Sequence, residues 1–415
     1  VRTLLQIRQK VMLLAPTGRA AKVFSLGSGA PAYTIHRRIY REKAFAGVDG
    51  QFSLNDNLYT DTLFMVDEAS MIANMGLGGT TFGSGCLLDD LVKFVYQGHN
   101  DRLLLIGDKA QLPPVGEEES PALSASVMEG YGLKVYECDL NEVLRQSQSS
   151  GILYNATLIR QMITHDAVTG LPLIRFKGFA DIVMMPGAEL VESLGDSYHH
   201  VGMDETMVIT RSNKRANIYN NGIRNMVLDR EEELSSGDML MIVKNNYFWT
   251  EKEKKESGEG SAGAVPAFLA NGDRAKVLRV SNYIELYGFR FATLLLQLPD
   301  YDDYEMQVTG MLDTLQSEAP ALTHEQQEEL FRQVEEDYQH FVPLKADRMK
   351  SIRQDAYFNA LQIKYAYAVT CHKAQGGQWA HVYVDQGYMT DDMLTPDYIH
   401  WLYTAKEQTC EPTDL

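Results

Sequence analysis

Residues 103–116 read LLLIGDKAQLPPVG, an apolar run that ends in Gly-Asp and continues into a Gln and two prolines. A strand buried on both faces needs continuous apolar character, so the run predicts a strand of a parallel sheet. Two earlier stretches, VMLLAPTG at 11–18 and TLFMVDEAS at 62–70, have the same form. Ligands of open α/β sheets collect at the carboxyl ends of the strands, so the three polar strand ends predict one common site.

The composition is typical of a soluble protein with more than one domain. At 415 residues the chain has room for two to three domains of roughly 100–200 residues each. No apolar run approaches the roughly 20 residues of a membrane span, so we expect no membrane partner. Lys and Arg number 38 against 56 Asp and Glu, a net charge of −18. This charge argues against a protein that coats nucleic acid by bulk charge, but it permits a local basic track.

The cysteines give no sign of a zinc site. The four of them lie far apart, without CxxC or paired Cys/His spacing: Cys86, Cys138, Cys371 and Cys410. They are typical of free thiols in a reducing compartment, so we expect a cytoplasmic protein.

The pattern changes along the second half of the chain. Residues from about 140 to 229 are mostly helical, apart from a strand predicted in TMVITR at 206–211. Short strands of a small barrel-like insert are predicted within 235–248 and 270–280. Between them, the charged and Gly/Ser-rich stretch TEKEKKESGEGSAGA at 250–264 predicts a mobile loop.

Residues 322–341 predict an amphipathic helix. Thr323 and Gln326 have the spacing of a capping box. Four apolar residues fall on one face at helical spacing: Leu330, Val334, Tyr338 and Phe341.

Adjacent carboxylates follow the apolar run at 62–66. Metal-assisted nucleotide hydrolysis needs two such groups, one to hold Mg²⁺ and one to orient or deprotonate the attacking water. Asp67 and Glu68 suit these tasks, although an Asp-Glu pair also ends many ordinary strands. Taken alone, the pair leaves both interpretations open.

Asp108 and Gln111 follow the run at 103–106 and favour the first interpretation. A Gln on a rigid loop can hydrogen-bond both a γ-phosphate and the attacking water without adding a charge. A surface turn stiffened by proline would explain Pro113 and Pro114, but not the positions of Asp108 and Gln111. The two strand ends together therefore predict nucleotide hydrolysis.

In their order along the chain, the motifs resemble those of the RecD-like and Dda-like helicases, the 5′-to-3′ branch of superfamily 1, with UvrD-type C-terminal motifs. The segments that carry the resemblance are LLAPTGRAAKVF (13–24) for motif Ia, TIHR (34–37) for Ib, FMVDEAS (64–70) for II, GDKAQLPPVG (107–116) for III, LNEVLRQ (140–146) for IV and YAVTCHKAQGGQW (367–379) for V and the segment just before it. The resemblance covers most of the chain.

The resemblance implies ATP and Mg²⁺ as cofactors. Asp67 would coordinate Mg²⁺, and Glu68 would be the general base. Gln111 would couple the γ-phosphate to DNA, and Arg145 would stabilise charge on the transferring phosphoryl group. A salt-bridged surface arginine is the alternative for Arg145, and the local sequence favours it. Nucleotide-binding positions are also implied at Asp108, Gln375 and Gly376.

Three clusters of hydroxyl and basic side chains predict a track for single-stranded DNA. Backbone amides, hydroxyls and cations at helix starts can meet phosphates together, with little regard to sequence. The clusters are Pro16, Thr17, Arg19 and Lys22; Thr34, His36 and Arg37; and Thr370, His372 and Lys373. Each cluster alone could be a helix cap with solvated cations. Together they favour the track.

The stretch FAGVDGQFSL at 45–54 predicts a hairpin. Asp49-Gly50 between apolar flanks is a turn signal. By resemblance to the family, this hairpin would be the pin that separates duplex strands.

The chain departs from the family pattern at two points. It contains no Gly-Lys pair, so it lacks the phosphate loop GxxxxGK[ST] that should precede motif Ia, and we expect the given chain to start after that loop. Motif VI runs Tyr-Thr-Ala-x-Thr-Arg-Ala in the family, whereas residues 401–415 read WLYTAKEQTCEPTDL without an Arg. We therefore expect this polypeptide itself to hydrolyse ATP poorly.

The sequence predicts an α/β fold of two RecA-like P-loop NTPase lobes, with a small β-rich, SH3-like insert in the second. The first lobe is predicted at 1–148, the second at 149–235 and 346–415, and the insert at 236–345. The expected function is an ATP-dependent DNA helicase of repair or recombination, a monomer acting on single-stranded DNA and duplex junctions. The alternatives are a helicase-like binding module without turnover and a P-loop ATPase with a substrate other than DNA.

Overall fold

A computed structural model describes residues 1–45, 50–76, 83–140, 150–164, 170–257, 265–266, 268–390 and 393–408. The helices are α1 (Arg2–Gln6), α2 (Gly18–Ser28), α3 (Ile35–Ile39), α4 (Leu87–Gln97), α5 (Ala125–Gly130), α6 (Gly151–Thr164), α7 (Leu190–His200), α8 (Asn213–Gly222), α9 (Phe248–Ser257), α10 (His324–Gln339), α11 (Lys345–Arg353), α12 (Cys371–Ala374) and α13 (Pro396–Glu407).

The strands are β1 (Lys10–Ala15), β2 (Ala32–Thr34), β3 (Tyr40–Phe45), β4 (Gly50–Leu54), β5 (Thr62–Val66), β6 (Arg102–Leu105), β7 (Thr206–Thr210), β8 (Met239–Ile242), β9 (Arg274–Leu286), β10 (Phe289–Leu298), β11 (Tyr304–Met311), β12 (Leu361–Tyr365), β13 (Ala368–Thr370) and β14 (His381–Val384).

Chain contacts divide the molecule into two compact units. The first unit contains Val1–Lys43, Gln51–Arg211 and Cys371–Leu415. The second contains Ala44–Gly50 and Ser212–Thr370.

The main sheet of the first unit is parallel, with the strand order β2-β1-β5-β6. Leu14 of β1 pairs with Val66 of β5, and Val66 pairs with Leu105 of β6. The carboxyl ends of these three strands therefore lie side by side, as the sequence predicts. Adjacent residues of β1 pack on opposite faces of the sheet: Leu14 joins the core that includes α4, and Ala15 packs with alanines of α2.

Strand β6 is more exposed than its apolar run predicts. Leu104 is 41% exposed, whereas Phe64 and Val66 of β5 are fully buried. The reason is that β6 is the edge strand, since among the described residues it pairs with β5 alone. An edge position covers a strand less completely than a central one.

The predicted hairpin is partly described. Strands β3 and β4 pair in a two-stranded sheet on either side of 46–49. The turn residue Asp49 lies outside the described residues.

A second parallel pair completes the sheets of the first unit. His381 to Val384 of β14 lie beside Thr206 to Ile209 of β7. All five residues of β7 are buried, which confirms the strand predicted at 206–211. Helix α7 packs on this pair, where Tyr383 bonds the hydroxyls of Ser193 and Ser197.

The second unit contains a closed barrel with the strand order β10-β11-β12-β8-β9. Strands β9, β10 and β11 form an antiparallel meander, and β12 closes the barrel by pairing with β8 and β11. Strand β12 lies at 361–365, beyond the range 236–345 predicted for the insert. The lobe boundaries stay a prediction.

Two local predictions in the second unit need correction. Residues 250–257 of the predicted mobile loop belong to helix α9, because Glu and Lys are strong helix formers and Trp249 anchors the helix in the core. Residues 258–264 lie outside the described residues. Helix α10 begins with the predicted capping box of Thr323 and Gln326, but Phe341 lies past its end and is 77% exposed.

The predicted α/β class is confirmed, with a parallel main sheet in the first unit and a small β-rich barrel in the second. Within the described ranges, every helix is too short or too polar to cross a membrane.

Candidate nucleotide and nucleic-acid site

The ends of β1, β5 and β6 form one continuous edge. The amide of Asp67 donates to the carbonyl of Leu14 at 3.0 Å, and the amide of Ile106 donates to the carbonyl of Val66 at 2.8 Å. The amide of Ala69 then donates to the carbonyl of Ile106 at 2.8 Å. These bonds extend the sheet past its strands and hold the Asp67-Glu68 pair beside Asp108.

Gly107 permits this close approach. A Cβ atom at this position would lie 3.0 Å from the amide nitrogen of Ser70 and 3.3 Å from that of Ala69. Both contacts are with backbone, which cannot rotate away as a side chain can. With any larger residue here, the end of β6 or the turn that follows Glu68 would have to shift by a few tenths of an ångström.

Glu68 has a left-handed backbone conformation, with φ of +51°. Its amide donates to Oδ1 of Asp67 at 3.0 Å. Non-glycine residues in this region cost of order 1–3 kcal/mol and often occur at functional sites. The conformation turns the chain sharply at Glu68, directly after Asp67.

The carboxylates suit a magnesium ion that is shared with a substrate. Across the described ranges, no group of three or more His, Cys, Asp or Glu side chains is arranged to hold a metal by itself. Mg²⁺ is commonly held by one or two carboxylates together with substrate phosphates. Asp67, half-buried at its strand end, fits that kind of binding.

Gln111 is the centre of a hydrogen-bond network. Its Nε2 atom donates to Oε2 of Glu407 at 3.0 Å. Its Oε1 atom accepts from Nε2 of Gln375 at 3.0 Å and from the hydroxyl of Ser70 at 3.4 Å. Gln375 also donates to the Ser70 hydroxyl at 3.3 Å. The network joins the segments of motifs II, III and V to the end of helix α13.

Asp108 is held by three groups. Its Oδ2 atom accepts from the hydroxyl of Tyr403 at 2.8 Å and lies 3.3 Å from Nη1 of Arg160. Its Oδ1 atom accepts from the amide of Ala110 at 2.9 Å. Burial, together with the charges of Glu407 and Asp108, raises the pKa of Tyr403, so its hydroxyl stays protonated and donates.

Helix α13 fixes the backbone of the motif III loop (107–116). The amide of Leu112 donates to the hydroxyl of Thr404 at 2.8 Å. Nδ1 of His400 donates to the carbonyl of Ala110 at 2.8 Å. The loop therefore does not rely on Pro113 and Pro114 alone for its shape.

Burial changes the acid–base properties of the end of α13. It raises the pKa of Glu407, which hydrogen bonds from Tyr403 and Gln111 partly offset. It also lowers the pKa of Lys406 to about 8. These two residues stand where the family's motif VI begins to differ from this sequence.

Four residues of this site were not predicted from the sequence: Ser70, Arg160, Tyr403 and Glu407. Ser70 lies within the motif II segment, and Glu407 lies where motif VI has a Thr. Such positions could have been considered as partners of Gln111. Arg160 is at the end of an ordinary helix pattern, and no local signal marks it.

The first predicted DNA cluster lies at the start of helix α2. The hydroxyl of Thr17 caps this helix by accepting from the amide of Ala20 at 3.2 Å. The guanidinium of Arg19 lies over the ring of Trp379, 4.6 Å from its centroid. Gly376 has a φ of +78°, and a Cβ atom there would lie 3.5 Å from that of Ala20. The motif Ia and motif V segments are therefore in contact.

The residues of the other two predicted DNA clusters differ in burial and in charge. Thr34 is buried, and its hydroxyl accepts from the amide of Arg37 at 3.4 Å as the cap of α3. Burial lowers the pKa of His36 to about 4, so its ring is neutral near pH 7, whereas Arg37 is exposed. Burial lowers the pKa of His372.

The remaining predicted residues lie at scattered positions. Pro16 directly follows β1, and Lys22 is half-buried on α2. Thr370 ends β13 in the second unit, whereas Lys373 lies on α12 in the first. Arg145 lies outside the described residues. The functional roles of all the predicted site residues stay predictions.

Two protein-family models match the chain. The model of the AAA domain matches residues 2–170, and the model of the UvrD-like helicase C-terminal domain matches residues 365–406. The chain is also similar to uncharacterized protein R530 of Acanthamoeba polyphaga mimivirus. The two are 21% identical over an alignment of 394 positions, which covers 84% of this chain and 73% of that protein.

Solved structures of Pif1 helicases are similar at low sequence identity. Two coordinating Pif1 helicases at forked double-stranded DNA give 12% identity and a TM-score of 0.47, covering 98% of this chain and 83% of that chain. Bacteroides Pif1 with ADP-AlF3 and single-stranded DNA gives 12% identity and a TM-score of 0.44, covering 98% of this chain and 83% of that chain. Candida albicans Pif1 gives 14% identity and a TM-score of 0.43, covering 99% of this chain and 85% of that chain.

A parallel sheet with carboxylates at its strand ends is joined through Gln111 to a C-terminal helix. The AAA and UvrD-like matches follow in that order along one chain. These two matches support the ATP-dependent DNA helicase that the sequence predicts.

Proposed function

We propose that this chain carries the part of an ATP-dependent DNA helicase in which Gln111 links nucleotide binding to 5′-to-3′ movement on single-stranded DNA. The observation that carries this proposal is the hydrogen bonding of one side chain to Ser70, Gln375 and Glu407. A group that touches three segments can sense a change at one of them and alter the others. Gln111 is suited to this task because an amide donates and accepts at once.

The nucleotide would bind at the carboxyl edge of the main sheet. Asp67 would hold Mg²⁺ with the phosphates, and the metal would supply charge neutralisation there. Glu68 would accept a proton from the attacking water, and Arg145 would lie against the phosphoryl oxygens. Oε1 of Gln375 is buried and has no hydrogen-bond partner among the described residues, so it leaves an acceptor for a ligand or its water.

Single-stranded DNA would bind along the three clusters of hydroxyl and basic residues. Arg37 offers an exposed charge, and Arg19 lies beside the contact between the motif Ia and motif V segments. Related Pif1 structures were determined with single-stranded DNA and with forked double-stranded DNA. We propose the same partners here, at sites with little base specificity.

Finer features of the function are also proposals. Strands β3 and β4 would carry the pin that separates the duplex. A monomer in the cytoplasm, acting in DNA repair or recombination, is the setting we propose.

The test measures whether nucleotide and DNA binding are linked through Gln111. Affinity for fluorescein-labelled oligo(dT) is measured with and without AMPPNP, a non-hydrolysable ATP analogue. We expect AMPPNP to change the affinity of the wild-type chain by about tenfold, and to have little effect on Gln111→Ala. Gln339→Ala, an exposed change at the end of α10, is the control and should behave as wild type. A wild-type chain that binds neither ligand would contradict the proposal.

A further inference from the structure

Arg160 on helix α6 contacts the motif III loop, although no motif includes it. We infer that Arg160 is a positioning residue, which holds Asp108 and through it the sensor Gln111. The inference rests on the proposed role of Gln111.

The contact is specific to one carboxylate oxygen. Nη1 of Arg160 lies 3.3 Å from Oδ2 of Asp108, and the hydroxyl of Tyr403 donates to the same oxygen at 2.8 Å. The side chain of Asp108 is 19% exposed, so its charge is poorly hydrated. Arg160, Tyr403 and Asp108 come from three separate segments and meet at this one oxygen.

Charge balance gives Arg160 a task that a neutral residue cannot perform. Tyr403 donates its hydroxyl proton to Asp108, and the charges of Asp108 and Glu407 both act on it. Two negative charges so close together repel each other in a half-buried site. The guanidinium interacts favourably with both carboxylates, and although burial alone would lower the pKa of Arg160, their charges raise it.

The position of Asp108 in turn fixes that of Gln111. Its Oδ1 atom accepts from the amide of Ala110, and its carbonyl accepts from the amide of Gln111 at 3.2 Å. The carboxylate and the backbone of Asp108 thus set the turn from which the Gln111 side chain extends. A shift of Asp108 would therefore move the side-chain amide of Gln111 relative to Gln375.

The test uses the full chain with Arg160→Gln and Arg160→Lys. Hydrogen–deuterium exchange is measured on a peptide that spans the motif III loop. The effect of AMPPNP on oligo(dT) affinity is measured in parallel. The control is Arg332→Gln, an exposed arginine of α10 that pairs with Glu329.

We expect Arg160→Gln to raise exchange in the loop by about tenfold. The effect of AMPPNP on oligo(dT) affinity should fall by about the same factor. In both measurements Arg160→Lys should give values between those of Arg160→Gln and wild type, because lysine keeps the charge but lacks the planar guanidinium. Arg332→Gln should match wild type in both measurements.

Wild-type loop exchange in Arg160→Gln would overturn the inference. Faster exchange with an unchanged AMPPNP effect would also overturn it, because the role would then be structural only. Weaker AMPPNP binding without DNA, at wild-type loop exchange, would instead make Arg160 a phosphate ligand. If wild type binds neither AMPPNP nor oligo(dT), the proposed function fails, while loop exchange still decides whether Arg160 positions the loop.

Discussion

The side-chain amide of Gln111 donates to the carboxylate of Glu407 at 3.0 Å. The two residues are 296 positions apart in the sequence. The contact joins the loop after β6 to the last turn of α13. Because Glu407 is held by Tyr403 as well, a change of its charge would act on the whole motif III loop. The end of α13 therefore helps to fix the side chain of Gln111.

Replacing Glu407 should alter the pH dependence of stability. Burial raises the pKa of Glu407 above its ordinary value of 4.5, so the folded protein binds this proton more tightly than the unfolded chain does. The free energy of unfolding should therefore decrease as the pH rises from below 4.5 through the raised pKa. Glu407→Gln should lack this decrease.

Urea unfolding of wild type and Glu407→Gln over a series of pH values measures the difference. Glu325→Gln on the first turn of α10 is exposed and serves as the control. An identical pH profile for wild type and Glu407→Gln would show that Glu407 does not titrate as its burial implies.

Removing the hydroxyl of Thr404 should loosen the motif III loop. Thr404 is fully buried and accepts from the amide of Leu112 at 2.8 Å. Thr404→Val keeps the shape but leaves that amide without an acceptor, which costs about 1–3 kcal/mol. Thr404→Ser keeps the hydroxyl and should retain the bond.

Hydrogen exchange at the Leu112 amide is the measurement for this pair. We expect fast exchange in Thr404→Val and slow exchange in wild type and Thr404→Ser. Equal protection in all three would mean that another group holds the Leu112 amide.

Breaking the buried ion network of the second unit should destabilise the barrel. Asp238 is fully buried and accepts from Arg224 at 3.0 Å, from Arg230 at 2.8 Å and from Tyr367 at 2.8 Å. Asp238→Asn removes the negative charge and leaves two arginines facing each other. A loss of about 3–5 kcal/mol in the free energy of unfolding is expected.

Asp313→Asn is the matched control, because Asp313 pairs with Arg290 at a more exposed site. It should lose about 1 kcal/mol or less in chemical denaturation. Similar losses in the two variants would show that burial does not decide the strength of these pairs.

The strand ends were predictable because continuous apolar runs define parallel strands, and polar residues at their ends must share an edge. Asp67, Asp108 and Gln111 follow from that rule. Tyr403 and Glu407 do not, since their contacts depend on how α13 packs hundreds of residues later. Helix α9 was predicted as a loop because charged residues and glycines at 250–264 are typical of a loop. The Glu and Lys residues of this segment are also strong helix formers.

Gly107→Ala should separate the two strand ends that carry the site. The added Cβ would lie 3.0 Å from the amide nitrogen of Ser70, so β6 or the turn at 69–71 has to move, at a cost of about 1–3 kcal/mol. Gly27→Ala is the control, because a Cβ at Gly27 meets nothing within 4 Å and the change inside α2 should stabilise by about 0.5–1 kcal/mol. Thermal unfolding and AMPPNP binding measure both variants. If Gly107→Ala kept wild-type stability and AMPPNP affinity, the close approach of β6 to Ser70 would not be needed for the site.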